Sequence, residues 1–227
     1  MRLRSRVCAF ALVISGSLPA ITIGQIDTFE DGTTVGWFVP GPNPNPPANE
    51  PGGGPAGAGD AYLKLTATGI NGSGGRLAVL NDAQWSGNYL MAGIGLISAD
   101  VNNFGPDNLY LRLLVEDFAG AGPPVNLALT QAAFVAAGSG WQRISFSVRP
   151  ADLVTLIGSA SQALTSVDTL RIFHNPAPDF PGPGVGIPPV NVVLGVDNIT
   201  AAVPEPGTLS LLTGGLLVAL VRRLQKA

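Results

Sequence analysis

The chain is almost free of cysteine, because the only one among its 227 residues is Cys8. The rest of the chain therefore forms no internal disulfide, no cysteine-ligated zinc site and no cysteine nucleophile. Histidine is equally scarce, with His174 alone. A catalytic histidine requires a nucleophile and an orienting acid, and no Gly-x-Ser-x-Gly segment is present. These absences disfavour hydrolases that use a cysteine or serine nucleophile.

Charged residues are also few, at 12% of the chain, and they are unevenly distributed. Residues 25–203 contain six basic and fourteen acidic side chains, which gives this part a net charge of −8. An acidic segment without a basic stripe argues against nucleic acid as a partner. Gly (30) and Pro (20) together make up about 22% of the chain, which is below the range of roughly 25–30% typical of disorder. Short apolar runs between such residues favour strands and turns.

The N-terminus has the pattern of a secretory signal peptide. Basic Met1–Arg6 precede the apolar run Val7–Leu18. These 12 residues would form a helix of about 18 Å, too short to span a bilayer stably. We assign residues 1–24 to the leader, with cleavage after Ala20 or Gly24 left open. The alternative is an N-terminal anchor helix.

Strands are predicted along the middle of the chain by apolar residues that alternate with polar ones. The clearest alternation covers residues 61–68, 109–116 and 143–149. Weaker candidates are residues 76–80, 93–101, 125–135, 167–173 and 190–201, with a short strand at 37–39 and a short helix at 150–157.

Many short strands separated by turns predict an all-β fold, a single β-sandwich of the jelly-roll type over residues 25–202. Residues 40–59 contain one charge and no large apolar side chain, so we expect a disordered Pro/Gly loop within this domain. Trp37 and Trp141 each follow a glycine at a predicted strand start, and we expect both to pack in the core.

The C-terminus has three consecutive parts. They are the triplet Pro204, Glu205 and Pro206, the apolar helix predicted over residues 208–221, and the basic cluster Arg222, Arg223 and Lys226. This order resembles the PEP-CTERM sorting signal over residues 203–227. The helix has 14 residues, or about 21 Å, which suits a transient stop in the membrane more than a permanent span. The alternative is an ordinary C-terminal anchor.

The PEP-CTERM resemblance implies a route. The precursor would cross the inner membrane of a Gram-negative bacterium through the Sec translocon and lose its leader to signal peptidase. An exosortase would then process it near the triplet, after which it would reach the cell surface or extracellular matrix, where such proteins often associate with exopolysaccharide.

Three segments of the domain carry a second resemblance: residues 29–32 with 36–37, residues 140–146 and residues 194–199. They resemble galactose-binding-like and carbohydrate-module jelly rolls. The resemblance implies a structural calcium ion between the first and last strands. Calcium prefers six to eight oxygen ligands, with carboxylates contributed by separate segments. The candidate ligands are Glu30, Asp31, Asp60 and Asp197; the alternative is that they are solvated turn residues.

Trp85 and Tyr89 lie in a polar, turn-rich segment of residues 81–89. An exposed aromatic ring among amides can stack on a sugar whose hydroxyls bind the neighbouring polar groups. The alternative is that both rings cap the edge of the sandwich.

The sequence therefore leaves three hypotheses for function. The first is a non-enzymatic, exported surface or matrix protein that is structural or weakly associated with polysaccharide. The second is a carbohydrate-binding module with a defined glycan ligand. The third, which the residues favour least, is a glycan hydrolase whose acids converge only in three dimensions.

Overall fold

The computed structural model describes residues 21–182 and 186–203. Within them the chain forms two antiparallel sheets that pack face to face. The strands are β1 (Ile26–Asp27), β2 (Ala48–Glu50), β3 (Tyr62–Thr68), β4 (Ala78–Asn81), β5 (Leu96–Asn103), β6 (Leu109–Asp117), β7 (Asn126–Leu129), β8 (Ala133–Val135), β9 (Gln142–Ser147), β10 (Val154–Ile157), β11 (Thr169–His174) and β12 (Asn191–Ala202). One α-helix, α1, covers Ala160–Thr165. The predicted all-β sandwich is confirmed.

The first sheet has the order β2-β3-β12-β5-β9, with β1 paired to β12. The second sheet has the order β10-β7-β6-β11-β4, with β8 paired to β6. Strands that are neighbours in space are mostly far apart in sequence, as is typical of a jelly roll.

The predicted alternation places the core between the sheets. Leu63 and Leu65 on β3 and Leu111 and Leu113 on β6 are all buried in one large hydrophobic cluster. Successive strand residues point to opposite faces, so the intervening residues form the outer face of each sheet.

The first and last strands lie side by side, with Ile26 opposite Thr200 and Asp27 opposite Ile199. The buried carboxylate of Asp27 accepts hydrogen bonds from two indole N–H groups, Trp37 Nε1 at 2.8 Å and Trp85 Nε1 at 2.7 Å. Burial raises the pKa of Asp27, while the bonds from Trp85 and Trp37 lower it. One side chain thus joins the entry of the domain to two core tryptophans.

Two local predictions are wrong. Residues 40–59 are not a structureless loop, because they contain β2, whose Asn49 is paired with Leu63 and donates to the carbonyl of Phe29 at 2.6 Å. The predicted helix at 150–157 is only a turn of 3₁₀ helix, Pro150–Asp152, followed by β10. The β-branched residues of β10 favour the extended conformation, and its backbone pairs with β7.

Ile21 ties the N-terminal end of the described domain to the core. Ile21 is buried in the core, and its N–H donates to the carbonyl of Ser86 at 3.0 Å. Cleavage after Ala20 would keep these contacts, whereas cleavage after Gly24 would remove them.

The sorting triplet, the helix at 208–221, the basic cluster and residues 1–20 of the leader lie outside the described residues. Across residues 21–182 and 186–203, no helix is long and apolar enough to cross a membrane.

Candidate functional site

The two aromatic residues predicted to bind sugar are fully buried. Trp85 and Tyr89 each have 0% of their surface exposed. The Tyr89 hydroxyl donates to the carbonyl of Trp85 at 2.8 Å, and burial raises the pKa of Tyr89 far above its ordinary value. Neither ring offers a face to a ligand, so the prediction that they are exposed for stacking is wrong. Burying such large apolar rings stabilises the core instead.

The two other tryptophans have different environments. Trp37 is in the core, as predicted. Trp141 is not, because it lies half-buried on the outer face of the first sheet. There it contacts Tyr62, with 5.2 Å between ring centroids, and fills the space above Gly195. A Cβ on Gly195 would lie 2.7 Å from Cη2 of Trp141, so the missing side chain provides the slot for the ring.

Three of the four calcium candidates are electrostatic neighbours. Asp197 lies at a register shift in β12 and is almost fully buried. The pKa of Asp197 is raised to about 7, mainly by burial; the hydrogen bond from the N–H of Asn198 lowers it, and the nearby carboxylates of Asp60, Asp100 and Glu30 raise it.

Asp31 stands apart from these acids. Its carboxylate accepts hydrogen bonds from the backbone N–H and the hydroxyl of Thr33, at 2.8 and 2.9 Å, and both residues are exposed. Asp31 is therefore a solvated turn residue, which is the alternative to a calcium ligand that the sequence allows.

In the part of the chain that the structure describes, no group of three or more His, Cys, Asp or Glu side chains is arranged to hold a metal ion. One carboxylate oxygen of Glu30 and one of Asp60 accept backbone hydrogen bonds. Glu30 accepts from the N–H of Ala61 at 2.9 Å, and Asp60 accepts from the N–H of Ala56 at 2.6 Å. The side chains as they stand do not form a calcium site.

The only histidine of the chain and one buried glutamate, the kinds of residue that a hydrolase would use, both have structural partners. Nδ1 of His174 accepts from the N–H of Tyr110 at 3.0 Å, and burial lowers the pKa of this imidazole. Glu116 pairs with the buried guanidinium of Arg171 at 2.8 Å. Both side chains are held by their neighbours within the fold.

The outer face of the second sheet was not predicted to be covered. Side chains on this face form a second hydrophobic cluster with two residues of the β11–β12 connection, which cover the strands. Leu114 and Phe173 on the sheet pack with Phe180 and Ile187 from that connection, and the rings of Phe173 and Phe180 meet edge to face at 5.2 Å.

Arg112 fixes the start of this connection. Its guanidinium donates to three backbone carbonyls, those of Asn175 at 2.9 Å, Thr130 at 2.9 Å and Pro176 at 3.0 Å. Burial lowers the pKa of Arg112. The three hydrogen bonds from this buried guanidinium order the β11–β12 connection where it leaves the sheet.

A cleft of about 370 Å³ opens beside β4, at the edge of this covered face. Its lining combines apolar side chains with amide, hydroxyl and guanidinium groups; it comprises Val39, Pro40, Pro42, Asn43, Gly72, Ser73, Gly74, Arg76, Ala78, Arg171 and Ile187. Apolar walls with a few polar groups, in a volume of roughly 300–1,000 Å³, are typical of ligand sites. We refer to this site as the β4 cleft.

Two arginines define the polar part of the β4 cleft. Nε of Arg76 donates to the carbonyl of Ile187 at 2.7 Å, which joins the cleft to the β11–β12 connection. Arg171 lies with its guanidinium carbon 5.2 Å from the centre of the Phe180 ring. The sequence does not reveal this site, because its walls come from four separated segments. The available signal was the presence of two arginines next to apolar strand residues in an acidic domain.

The solved structures that resemble the domain are largely carbohydrate-binding modules. A family 11 carbohydrate-binding module from Clostridium thermocellum, in complex with a β-1,3-1,4-mixed-linked tetrasaccharide, has a TM-score of 0.53 and 14% identity, covering 80% of this chain and 97% of that one. The family 11 module of the cellulosomal cellulase Lic26A-Cel5E of Clostridium thermocellum has a TM-score of 0.52 and 13% identity, covering 81% and 96%.

An exo-β-agarase also resembles the domain, with a TM-score of 0.55 and 13% identity, and here 82% of this chain covers only 26% of the agarase. No family model matches the chain, and no curated protein matches it in sequence. At these identities the likeness is one of fold. The described domain is a β-sandwich with the architecture of carbohydrate-binding modules.

Proposed function

We propose that the protein is an exported, non-enzymatic carbohydrate-binding protein whose sandwich binds polysaccharide in the β4 cleft. The observation that carries the proposal is this cleft of about 370 Å³ on a fold shared with carbohydrate-binding modules. Val39 and Pro40 supply apolar surface for the faces of sugar rings, and Asn43 and Ser73 supply hydrogen-bonding groups for hydroxyls. The buried Trp85 and Tyr89 have no part in it.

The substitution Ala78→Trp tests this proposal, because Ala78 lines the cleft and an indole there would fill it. We expect at least a tenfold loss of affinity, or about 1.4 kcal/mol, for any polysaccharide that the wild type binds saturably. Affinity electrophoresis against a polysaccharide panel gives the measurement.

Ala137→Trp is the matched control, since Ala137 is exposed and does not line the cleft. Unchanged polysaccharide binding by Ala78→Trp would show that the β4 cleft is not the binding site. No binding of any glycan by the wild type would favour the purely structural role that the sequence also allows.

We further propose that the C-terminal segment directs sorting by an exosortase. The support is the order of Pro204-Glu205-Pro206, apolar helix and basic cluster in the sequence. In cells that contain an exosortase, replacing the triplet with three alanines should leave the protein in the membrane fraction with its tail attached, as measured by mass spectrometry. Arg222→Lys with Arg223→Lys keeps the charge and should be processed normally. Equal processing of the triplet variant and the wild type would reject this route.

Calcium remains a proposal, supported by the carboxylates of Asp60 and Glu30, which lie near enough to the buried Asp197 to raise its pKa. The carboxylates would have to move together to share an ion, and calcium sites tolerate flexible oxygen geometry.

A further inference from the structure

The basic side chains of the described domain are almost all neutralised. Four form ion pairs with carboxylates, in the pairs Lys64–Glu50, Arg143–Asp100, Arg149–Asp152 and Arg171–Glu116. A fifth, Arg112, is buried on backbone carbonyls. Arg76 is half-buried and, among residues 21–182 and 186–203, has no carboxylate within ion-pair distance. A partly exposed cation without a counter-charge is unusual in a segment of net charge −8.

This cation lies in the β4 cleft, whose lining includes no acidic residue. Its Nε is bonded to the carbonyl of Ile187 at 2.7 Å, and its Nη1 lies 3.5 Å from the carbonyl of Gly72. Its Nη2 donates to no other described residue. A guanidinium has five N–H donors in one plane. Arg76 therefore still has N–H groups available to a ligand after bonding to the carbonyls of Ile187 and Gly72.

The second arginine of the cleft adds no uncompensated charge. Arg171 lines the cleft, but it is only 4% exposed and is paired with Glu116 at 2.8 Å. Among the lining residues a ligand therefore meets one unpaired cation, Arg76, and no carboxylate, although residues 25–203 carry a net charge of −8.

We propose that the β4 cleft recognises an anionic glycan, a polysaccharide with uronic acid carboxylates along its chain. This proposal rests on the proposed carbohydrate-binding function and names its ligand class. Arg76 would hold a sugar carboxylate in the planar, paired geometry that arginine forms with such groups, while Asn43 and Ser73 bind neighbouring hydroxyls.

The net negative charge of the domain does not prevent this. At about 0.15 M salt the Debye length is roughly 8 Å, so repulsion from distant acids is screened while a direct guanidinium–carboxylate contact is kept. A fixed cation surrounded by a repulsive surface also favours specificity, since a polyanion gains binding energy only where it reaches Arg76.

The test uses the full-length chain and a set of matched ligands at 0.15 M salt. The acidic ligands are oligogalacturonate, alginate and hyaluronan oligosaccharides; the neutral ones are methyl-esterified oligogalacturonate and mixed-linkage β-glucan. The variant Asn43→Asp adds a negative charge to the cleft and keeps the oxygen that accepts from the N–H of Asn45 at 2.8 Å. Its matched control is Asn108→Asp, an exposed residue that keeps its bond from the N–H of Ala137.

Titration calorimetry should show saturable binding of at least one acidic ligand. Asn43→Asp and Arg76→Gln should weaken it by at least roughly tenfold, the scale of one charge-assisted hydrogen bond, while Asn108→Asp leaves it unchanged and Arg76→Lys keeps part of it. Circular dichroism melting of each variant separates lost binding from lost folding.

Three outcomes would overturn the inference. Binding of neutral ligands without acidic ones would reject the anionic ligand but leave carbohydrate binding standing. Acidic binding that is equal in Asn43→Asp and Asn108→Asp would reject this cleft. Binding of no glycan at all would reject both the inference and the function on which it rests.

Discussion

Asp27→Leu is expected to destabilise the domain by about 2–6 kcal/mol, because it would leave two buried indole N–H groups without an acceptor at about 1–3 kcal/mol each. Trp37 is 1% exposed and Trp85 is 0% exposed, so water cannot replace the carboxylate as the acceptor. A typical domain has only about 5–15 kcal/mol of stability, which makes this loss large enough to prevent folding at elevated temperature.

Asp27→Asn separates the hydrogen bonds from the size of the side chain. A single oxygen of Asp27, Oδ2, accepts from both indoles, and the amide oxygen of asparagine can take its position. We therefore expect a much smaller loss. Asp82→Leu is the matched control at an exposed aspartate and should change stability by less than about 0.5 kcal/mol. Urea unfolding gives the free energies; equal losses in Asp27→Leu and Asp82→Leu would show that the carboxylate does not stabilise the core.

The second large effect concerns Asp197 and pH. Its pKa in the folded chain is raised to about 7, above the value of about 3.9 in an unfolded chain. The stability that its protonated form contributes is fully present below pH ~4 and is lost as the pH rises through about 7. In the presence of a chelator, the melting temperature should therefore decrease as the pH is raised from 5 to 8. The reason is that the buried carboxylate of Asp197 must then ionise beside Asp60 and Glu30.

Other buried groups with shifted pKa values also contribute to the pH dependence, so the comparison with Asp197→Asn is essential. The pKa of Glu116 is also raised by burial, which acts in the same direction, whereas the lowered pKa of His174 acts in the opposite one. Asp197→Asn should remove only its own part of the slope. If its midpoint falls with pH as steeply as that of the wild type, the account of Asp197 is wrong.

If calcium binds as proposed, it should reverse the loss at pH 8, because the ion would bind the ionised carboxylates of the folded state. At a free concentration 100 times the dissociation constant, the gain would be about 2.7 kcal/mol. Asp197→Asn should lose most of this gain, and Asp31→Asn should keep it, since Asp31 bonds only within its own turn. A wild-type midpoint that is the same in millimolar calcium and in chelator would reject the calcium proposal.

The fold follows largely from local pattern. Alternation identified β3 and β9 because each has one face toward the core, and such strands have a clear period of two. It also identified β6, although the outer face of that strand is buried as well. It identified β11 less clearly because that strand is buried on both faces. Phe173 on its outer face is covered by Phe180 from the β11–β12 connection, and this long-range contact has no local signature.

The candidate site was much harder to predict. Polar neighbours suggested that Trp85 and Tyr89 are exposed, but those neighbours serve the turns: the Asn81 amide donates to the carbonyl of Val35 at 3.0 Å, and Asn88 accepts from the N–H of Met91 at 2.8 Å. The rings themselves point inward. The β4 cleft depends on Arg76 meeting residues more than a hundred positions away, such as Ile187, and sequence spacing does not reveal such meetings.

The most direct test of the central claim is to locate a bound glycan on the domain by NMR. The oligosaccharide that binds most tightly is titrated into isotope-labelled protein, and backbone amide shifts are followed residue by residue. We predict that the perturbed amides cluster around the β4 cleft, at residues 39–43, 72–78, Arg171 and Ile187. Perturbations centred instead on the outer face of the first sheet, around Phe104 and Trp141, or no perturbation at saturating glycan, would contradict the account.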